Sequence, residues 1–250
     1  MTDQSFDPGR LAAYQALLLD MNGTFMFGHD RFGDNVDYYE TYRALGANGV
    51  DASTVNLMVT RLVEEMADLY GDSAFQEEFP TVFGTLGRLY PREAPQQLAW
   101  IEEVMARHEI GHIPEAHIEV LRALSRTHRL GLVTNIWSRK DLWLQAFEVL
   151  GLIDVFEVMV FSSDHRCIKP SPGLFRTAIL ELGIPPSDIV FIGDDLRRDI
   201  IGAHNAGLSG LWIDINRDAA GSPEECLPEM RVDSLLRLDP AGRNTPWVTG

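Results

Sequence analysis

The sequence predicts an α/β protein in which helices flank a parallel β-sheet and an all-helical cap subdomain is inserted after the first strand. In the second half of the chain, short apolar runs ending in polar residues alternate with helical patterns, as in a sheet with crossover helices. Between residues 28 and 115 the apolar positions instead recur at helical spacing, for example at Met58, Leu62 and Met66. Together these patterns indicate a Rossmann-like core that carries a helical insertion.

Five apolar runs are predicted to form the strands of the sheet. In chain order they are ALLLD (16–20), LGLVTN (130–135), FEVMVFSS (156–163), DIVFIGDD (188–195) and GLWIDI (210–215). The helices that connect the later strands are predicted at 138–150, 173–182 and about 196–206. In such sheets functional groups collect at the carboxyl ends of the strands, which is where these runs place their polar residues.

The chain is predicted to divide into two units. The core comprises residues 11–27 and 116–240, and the helical cap comprises residues 28–115. Within the cap, helices are predicted at 35–45, 53–70 and 95–109, because turns containing Gly and Pro separate these segments. A further helix at 115–127 is expected to lead back into the sheet.

Composition limits the possible partners and the cellular location. The formal charge of −16 argues against nucleic-acid binding, which depends on clustered Lys and Arg. No run of about 18 apolar residues is present, so we expect no membrane span. The first ten residues lack the pattern of a signal peptide and the chain has two cysteines, Cys167 and Cys226, so we expect a cytoplasmic protein without a disulfide framework. These features leave the oligomeric state open.

Four polar motifs follow predicted strands. They are DMNGT at 20–24, VTN at 133–135, IKPSP at 168–172 and GDDLRRD at 193–199. In this order and spacing they resemble the motifs of the haloacid dehalogenase-like (HAD) superfamily, in the form that carries a helical cap between the first and second motifs. The resemblance covers almost the whole chain, leaving about ten residues outside it at each end.

The first and third motifs contain a candidate nucleophile and a candidate cation for phosphate chemistry. A carboxylate such as Asp20 can attack phosphorus and form an aspartyl-phosphate, which divides one difficult displacement into two easier ones. Lys169 is one of only two lysines in the chain, and its point charge suits a phosphoryl oxygen and would neutralise Asp20. Each residue also has an ordinary alternative, because Asp20 can cap a turn and most lysines are solvated.

Neutral groups for the phosphoryl oxygens are predicted in the first and second motifs. Gly23 allows phosphate to approach the backbone N–H groups of its turn closely, and Thr24 belongs to the same turn. Thr134 and Asn135 place a hydroxyl and an amide at the tip of the second strand, where both can donate to oxygen. The alternative for this pair is capping of the helix that follows.

The last motif gathers carboxylates that need a cation. Asp194, Asp195 and Asp199 would repel each other and raise their own pKa values if they stood alone. Mg²⁺ removes this repulsion, since it prefers a few oxygen ligands and shares them with a substrate phosphate. The resemblance implies that Asp20, Asp194 and the backbone carbonyl of Asn22 hold the metal, with Asp195 or Asp199 binding directly or through water.

Asn22 departs from the pattern of the family. The family's phosphatases have an aspartic acid here, which protonates the leaving oxygen and then activates the hydrolytic water. An amide can do neither, although it can still form hydrogen bonds and its backbone carbonyl can still bind metal. Loss of such a general acid–base group typically costs a factor of about 10²–10⁴ in rate.

Other branches of the family also replace this residue, and their chemistry fits the sequence poorly. Phosphonate-cleaving members use a lysine of the cap, but residues 28–115 contain no lysine. Haloacid dehalogenases lack the metal carboxylates, which are retained here, and ion pumps of the family span a membrane. These comparisons favour phosphate chemistry.

Several explanations of Asn22 remain open. The first explanation is a phosphatase with an alternative acid, for which His29 and Asp30 are candidates. The second is a phosphatase limited to good leaving groups, and the third is a phosphate-binding regulator with little turnover. Deamidation of the Asn-Gly pair would restore the aspartate. The sequence predicts Mg²⁺-dependent hydrolysis of small phosphorylated metabolites, with Arg31 or Arg43 of the cap as candidates for reading the rest of the substrate.

A competing motif, HEIGH at residues 108–112, matches the zinc-protease pattern HExxH. That chemistry needs His108 and His112 on one face of a continuous helix, with Glu109 as the base. Gly111 and Pro114 are helix-stop signals, so His112 is predicted to lie outside the helix. The zinc-protease hypothesis is therefore much weaker than the phosphatase hypothesis.

Overall fold

A computed structural model of the chain describes residues 8–215 and 230–241. In these residues six parallel strands form one sheet in the order β3-β2-β1-β4-β5-β6. The strands are β1 (Ala16–Leu19), β2 (Arg129–Thr134), β3 (Val158–Phe161), β4 (Ile189–Gly193), β5 (Ser209–Ile213) and β6 (Met230–Val232). The predicted α/β class and parallel sheet are confirmed.

The strand order places β1 between β2 and β4, and all four of its residues are buried. Leu19, the last residue of β1, pairs with Leu132 on one side and with Ile192 on the other. Because all three strands run in the same direction, the residues that follow them emerge at one edge of the sheet. This register places Asp20 level with Gly193, the residue directly before Asp194.

Five α-helices lie between the first two strands, and the first four of these belong to the insertion. These four are α1 (Tyr38–Ala44), α2 (Ala52–Gly71), α3 (Val82–Leu89) and α4 (Pro95–Glu109). Their buried side chains form one hydrophobic cluster together with Ile168, and its members from these helices include Tyr38, Tyr42, Val55, Met58, Leu62, Met66, Leu86, Leu98, Ile101 and Met105. The helical insertion predicted from the apolar spacing is therefore present, whereas its boundaries at residues 28 and 115 stay a prediction.

The remaining helices accompany the sheet. They are α5 (Glu115–Leu124), α6 (Asp141–Val149), α7 (Ser162–His165), α8 (Pro172–Leu182) and α9 (Gly202–Asn205). Their apolar side chains pack with the buried strands in two hydrophobic clusters, as expected for helices that cover a parallel sheet. Among the described residues, no helix is both long enough and apolar enough to cross a membrane.

The structure differs from the predicted elements at four places. Helix α3 was not predicted, because Gly84 and Gly87 weaken the helical pattern. The third strand ends at Phe161 and gives way to α7, and a π-helix at Leu196–Ile201 precedes α9 where one α-helix was predicted. Strand β6 was not predicted either. Within the predicted core, residues 216–229, including Cys226, lie outside the described residues.

Candidate active site

A cavity of about 230 Å³ lies at the carboxyl edge of the sheet, against the cap helices. Residues of the predicted site in its wall are Asp20, Asn22, Asn135, Lys169, Asp194, Asp195 and Asp199. Six further residues complete the wall, namely His29, Asp30, Tyr70, Glu109, Trp137 and Arg198. The structure therefore brings together the nucleophile candidate, the lysine and the late carboxylates that the sequence placed far apart.

Lys169 is the centre of this arrangement. Its Nζ donates to Asp20 Oδ1 and to Asp199 Oδ1, both at 2.6 Å, and its side chain is only 2% exposed. The backbone of Lys169 is held by Asn135, whose Oδ1 accepts from the Lys169 N–H at 2.9 Å. Asn135 thus positions the lysine through its backbone, so the predicted contact of Asn135 with phosphate stays a prediction.

The pKa values of these groups follow from burial and mutual charge. Burial by itself lowers the pKa of Lys169, but Asp199 and Asp20 outweigh it and hold that pKa above its usual range, so the lysine stays charged. Burial raises the pKa of Asp199 to about 7 despite the nearby lysine. Burial and then the charges of Asp20 and Asp199 raise the pKa of Asp194 to about 8. One lysine therefore does not balance the negative charge of the cluster.

The three carboxylates have the geometry and chemistry of a site for a hard cation. Asp20, Asp194 and Asp199 each offer an oxygen, and these atoms lie within 4.8 Å of one another. Among residues 8–215 and 230–241, they are the only group of three or more acidic, His or Cys residues that is this close. Carboxylate oxygens are the ligands that Mg²⁺ prefers, so the donor set fits this ion.

Two glycines make room for the carboxylates. A Cβ atom on Gly23 would lie 2.2 Å from Asp194 Oδ2, and one on Gly193 would lie 2.3 Å from Asp199 Oδ2. Gly23 also has a positive φ of 77°, which other residues rarely adopt. Its own N–H donates to Met26 O at 2.9 Å. In this structure Gly23 therefore contributes space for Asp194, whereas the predicted role of its turn in phosphate binding stays untested.

Asp195 is placed differently from the other acidic residues of the last motif. Its Oδ1 accepts from the backbone N–H groups of Arg197 and Arg198, and its Oδ2 accepts from Arg198 Nη1. These bonds cap the π-helix that carries Asp199, a type of helix that often marks a functional site. Asp195 lines the cavity outside the cluster of three carboxylates, and its predicted contact with metal remains a prediction.

Three buried polar atoms of the predicted site have no hydrogen-bond partner among the described residues. They are Oδ1 of Asn22 and the hydroxyl oxygens of Thr24 and Thr134. The two threonines are 1% and 0% exposed, and neither is among the residues that line the cavity. A buried hydroxyl without a protein partner can still donate to a ligand oxygen, which is compatible with the predicted contacts to phosphate.

The arrangement of these motifs agrees with a match to a family model. The model for haloacid dehalogenase-like hydrolases matches residues 14–207. This chain belongs to the haloacid dehalogenase-like hydrolase family. The phosphoserine phosphatase of Thermus thermophilus is 31% identical over 125 residues, which are 50% of this chain and 49% of that protein. The chain thus spans about half the length of this curated relative.

Two solved structures illustrate how widely the fold of this HAD hydrolase is shared. A HAD phosphatase from Thermococcus onnurineus has a TM-score of 0.57 at 24% identity, covering 90% of this chain and 95% of that one. A 2-haloacid dehalogenase from Pseudomonas syringae has a TM-score of 0.58 at 21% identity, covering 90% and 96%. Proteins named for different reactions share the fold, so the chemistry must be argued from the site.

Several cavity residues of this HAD hydrolase were missed by the sequence reasoning. The Tyr70 ring lies 4.0 Å from the guanidinium carbon of Arg198, and its hydroxyl accepts from Asn135 Nδ2 at 3.0 Å. Burial raises the pKa of Tyr70 to about 12, so its hydroxyl stays protonated. Trp137 stacks on Phe32, with 6.2 Å between ring centroids. Tyr70 and Trp137 show no motif that would distinguish them from ordinary core aromatics.

Glu109 joins the last turn of α4 to the loop after β2. Its two carboxylate oxygens accept from the backbone N–H groups of Trp137 and Ser138 at 2.5 and 2.9 Å. Burial raises the pKa of Glu109 to about 7, although these hydrogen bonds oppose the shift. The glutamate of the HEIGH motif therefore connects the cap to the core of this HAD hydrolase.

The histidines of the HEIGH motif are not on one helical face. Helix α4 ends at Glu109, and His112 lies beyond it in a β-bridge with Phe27, as the stop signals predicted. His108 Nε2 lies 2.9 Å from Thr41 Oγ1, and its Nδ1 lies 3.2 Å from Arg31 O. The arrangement that a zinc protease requires is absent from these residues.

Replacing Glu109 by Ala is expected to lower the free energy of unfolding by about 2–4 kcal/mol, because two N–H groups of the loop lose their acceptors. Urea unfolding followed by circular dichroism would measure the change. Glu103→Ala is the matched control, since Glu103 lies on the same helix and forms a partly exposed pair with Arg107 worth at most about 1 kcal/mol. Equal effects of the two substitutions would contradict a connecting role for Glu109.

Proposed function

We propose that this HAD hydrolase cleaves small phosphate monoesters through an aspartyl-phosphate formed on Asp20. The observation that carries the proposal is the position of Asp20 in the cavity wall, paired with buried Lys169 and clustered with Asp194 and Asp199. A carboxylate in this setting remains available as a nucleophile while its surroundings accommodate an anionic substrate.

The roles of the chain's own groups follow from their positions. Asp20 attacks phosphorus, and Lys169 stabilises the negative charge on the phosphoryl oxygens. Thr24 and Thr134 are proposed to donate their hydroxyls to those oxygens. Asp20, Asp194 and Asp199 would hold Mg²⁺ together with the backbone carbonyl of Asn22, and the ion would supply positive charge shared with the phosphate.

The cap is proposed to set specificity and to exclude water from the cavity. Tyr70 and Glu109 extend from the cap to the cavity wall, so the part of the substrate beyond the phosphate would contact them. A cavity of about 230 Å³ suits a small metabolite. The predicted role of Arg31 in reading the substrate is less favoured, because its guanidinium donates to three backbone carbonyls.

A phosphate-binding regulator with little turnover is the second candidate function, and Asn22 is the observation that favours it. Its amide lines the cavity where an acid is expected, so turnover depends on another proton donor or on a good leaving group. The retained nucleophile, lysine and carboxylate cluster favour an enzyme, because simple phosphate binding does not need them all.

A phosphate-release assay over alkyl, aryl and acyl phosphates, with Mg²⁺ or with EDTA, tests the proposed function. We expect Mg²⁺-dependent release from at least one class, with small monoesters preferred to polyphosphates. Binding of inorganic phosphate without release from any substrate would instead favour the regulator. Absence of a nucleic-acid partner and a cytoplasmic location stay predictions from the sequence.

Mg²⁺ is expected to raise the melting temperature more at pH 8 than at pH 5. The pKa values of Asp194 and Asp199 are raised to about 8 and 7, so the stability that these two groups contribute without metal is fully present below about pH 4 and is lost as the pH rises to these values. At pH 5 protons compete with the ion, whereas at pH 8 the ion relieves the repulsion. Thermal melts with and without Mg²⁺ measure both shifts, and Asp194→Asn should reduce the shift at pH 8. Equal shifts at both pH values would contradict the metal site.

A further inference from the structure

We propose that His29 is the general acid and base of this site and performs the proton transfers that Asn22 cannot perform. The inference rests on the proposed function, because it concerns the proton steps of the same reaction. Asn22 and His29 both belong to the wall of the 230 Å³ cavity, so one substrate can touch both. Histidine is the side chain that most often transfers protons in enzymes near neutral pH.

The backbone around His29 is fixed against the end of α4. On one side, Phe27 and His112 exchange two backbone hydrogen bonds, each 2.9 Å long. On the other side, the N–H groups of Asp30 and Arg31 donate to carbonyls of the last turn of α4 at 3.0 and 2.8 Å. His29 therefore lies between two anchored points and is not part of a freely moving loop.

The side chain of Arg31 adds a second set of anchors to the same segment. Its Nη1 donates to Gly28 O at 2.9 Å and to Ile110 O at 2.5 Å, and its Nη2 donates to Arg107 O at 2.5 Å. One guanidinium thus joins the residue before His29 to the end of α4. Such fixation supports catalysis, because a proton donor must be held near the reacting oxygen.

The imidazole of His29 has one nitrogen near a carboxylate and one without a partner. Its Nε2 lies 3.7 Å from Asp30 Oδ2. Its Nδ1 is buried and has no hydrogen-bond partner among the described residues. The side chain is 29% exposed, so the ring is neither sealed in the core nor free in solvent.

Two other acidic residues of the cavity wall, Glu109 and Asp30, are less suited to the same task. Both oxygens of Glu109 already accept backbone N–H groups of the loop after β2. Asp30 has an unusual backbone with a φ of 52°, and its carboxylate lies beside His29. Asp30 is therefore assigned as a positioning residue beside the imidazole, while His29 transfers the proton.

The proposed steps conserve protons and electrons. In the first step Asp20 attacks phosphorus, the bond to the leaving oxygen breaks, and that oxygen keeps the electron pair and takes a proton from the imidazolium of His29. In the second step the neutral imidazole takes a proton from water while the water oxygen attacks phosphorus. The bond to Asp20 breaks, its carboxylate recovers the electron pair, and phosphate leaves with His29 protonated again.

The test compares leaving groups in wild-type protein and His29→Gln at saturating Mg²⁺. Alkyl phosphates need a proton on the leaving oxygen, so we expect kcat/KM to fall by about 10²–10⁴-fold. The leaving groups of p-nitrophenyl phosphate and of acyl phosphates need no proton, so the rate of their initial cleavage should fall less than about tenfold. A general loss of folding or of metal binding would lower kcat/KM equally for all substrates.

The second arm combines His29→Gln with Asn22→Asp, which restores an acid at the position of the amide. In the Asn22→Asp background, loss of His29 should lower alkyl phosphate hydrolysis by less than about tenfold, so the two substitutions are strongly non-additive. His165→Gln removes an exposed histidine outside the cavity and should leave activity unchanged. Urea unfolding of each variant would verify that the fold is retained.

Equal losses on all leaving groups, or the same loss of His29 in both backgrounds, would overturn the assignment of His29 while leaving the proposed phosphatase function intact. Failure of the wild-type protein to cleave any phosphate ester would overturn both proposals. A larger loss on alkyl phosphates that Asn22→Asp rescues would establish His29 as the proton donor.

Discussion

Replacement of Asp20 by Asn is expected to lower phosphate release by at least about 10⁴-fold on every substrate that the wild-type protein cleaves. An amide is a poor nucleophile and cannot form the acyl phosphate, whereas proton transfer and phosphate binding are left in place. The loss should therefore be as large for aryl and acyl phosphates as for alkyl phosphates. This pattern distinguishes the nucleophile from a proton donor, whose loss spares good leaving groups.

The same substitution should leave the fold intact. The amide oxygen of Asn at position 20 can still accept from Lys169, and removal of one charge relieves the repulsion that raises the pKa of Asp194. We expect no decrease in the free energy of unfolding measured with urea at pH 8. Asp34→Asn, at an exposed position of the cap, is the matched control and should retain full activity. Residual activity above about 1% of wild type would contradict the role of Asp20.

Residues at strand ends were the ones that the sequence could place. Asp20 and Asp194 follow apolar runs that are recognisable in isolation, and a parallel sheet brings the ends of such runs to one edge. Asp199 follows Asp194 by about one helical turn, so its approach was also predictable. Lys169 was singled out as one of two lysines and by its position in the third motif, and only the structure shows that its ammonium joins Asp20 and Asp199.

Contacts between the cap and the core could not be predicted in the same way. Periodicity identifies which face of α2 or α4 is buried, but it does not show which core loop that face meets. In the sequence, Tyr70 and Glu109 therefore look like ordinary helix residues, although both contact the loop that follows β2 in the structure. The HEIGH motif suggested a different role for Glu109, so its contact with the loop after β2 was not predicted.

Two motif residues that were predicted to contact ligands form hydrogen bonds within the protein. Asn135 was predicted to donate to phosphate, which stays a prediction; in the structure its Oδ1 accepts from the Lys169 N–H and its Nδ2 donates to the Tyr70 hydroxyl. Asp195 was predicted to bind metal directly or through water, which also stays a prediction; in the structure its side chain caps the π-helix. In each case a short side chain is within reach of nearby backbone groups, and such local bonds compete with a ligand.

Replacement of Lys169 by Met is expected to remove activity and to destabilise the protein by about 3–5 kcal/mol at pH 8, the usual cost of breaking a buried ion pair. The substitution leaves Asp20, Asp194 and Asp199 clustered within 4.8 Å without a cation from the protein. Urea unfolding of metal-free protein would measure the loss, and phosphate release would measure activity.

The pH dependence of this loss identifies its cause. In the Lys169→Met protein the pKa of Asp199 should rise further above about 7, because the lysine lowers it in the wild type. The carboxylates then take up protons at pH 5, so the destabilisation should be smaller at pH 5 than at pH 8. Addition of Mg²⁺ at pH 8 should restore part of the stability but not the activity, since the ion replaces the lost charge without replacing the contact to the phosphoryl group.

The other lysine of the chain supplies a matched control for this prediction. Lys140 forms an exposed pair with Asp164, and both side chains are 39% exposed, so Lys140→Met should change the free energy of unfolding by at most about 1 kcal/mol. If both substitutions gave equally small effects at pH 8, the negative charge of the cluster would be balanced by something other than Lys169. We expect a loss of stability that is confined to Lys169→Met, grows with pH and is partly reversed by Mg²⁺. This result would show that the same buried ammonium stabilises the fold and serves the proposed chemistry.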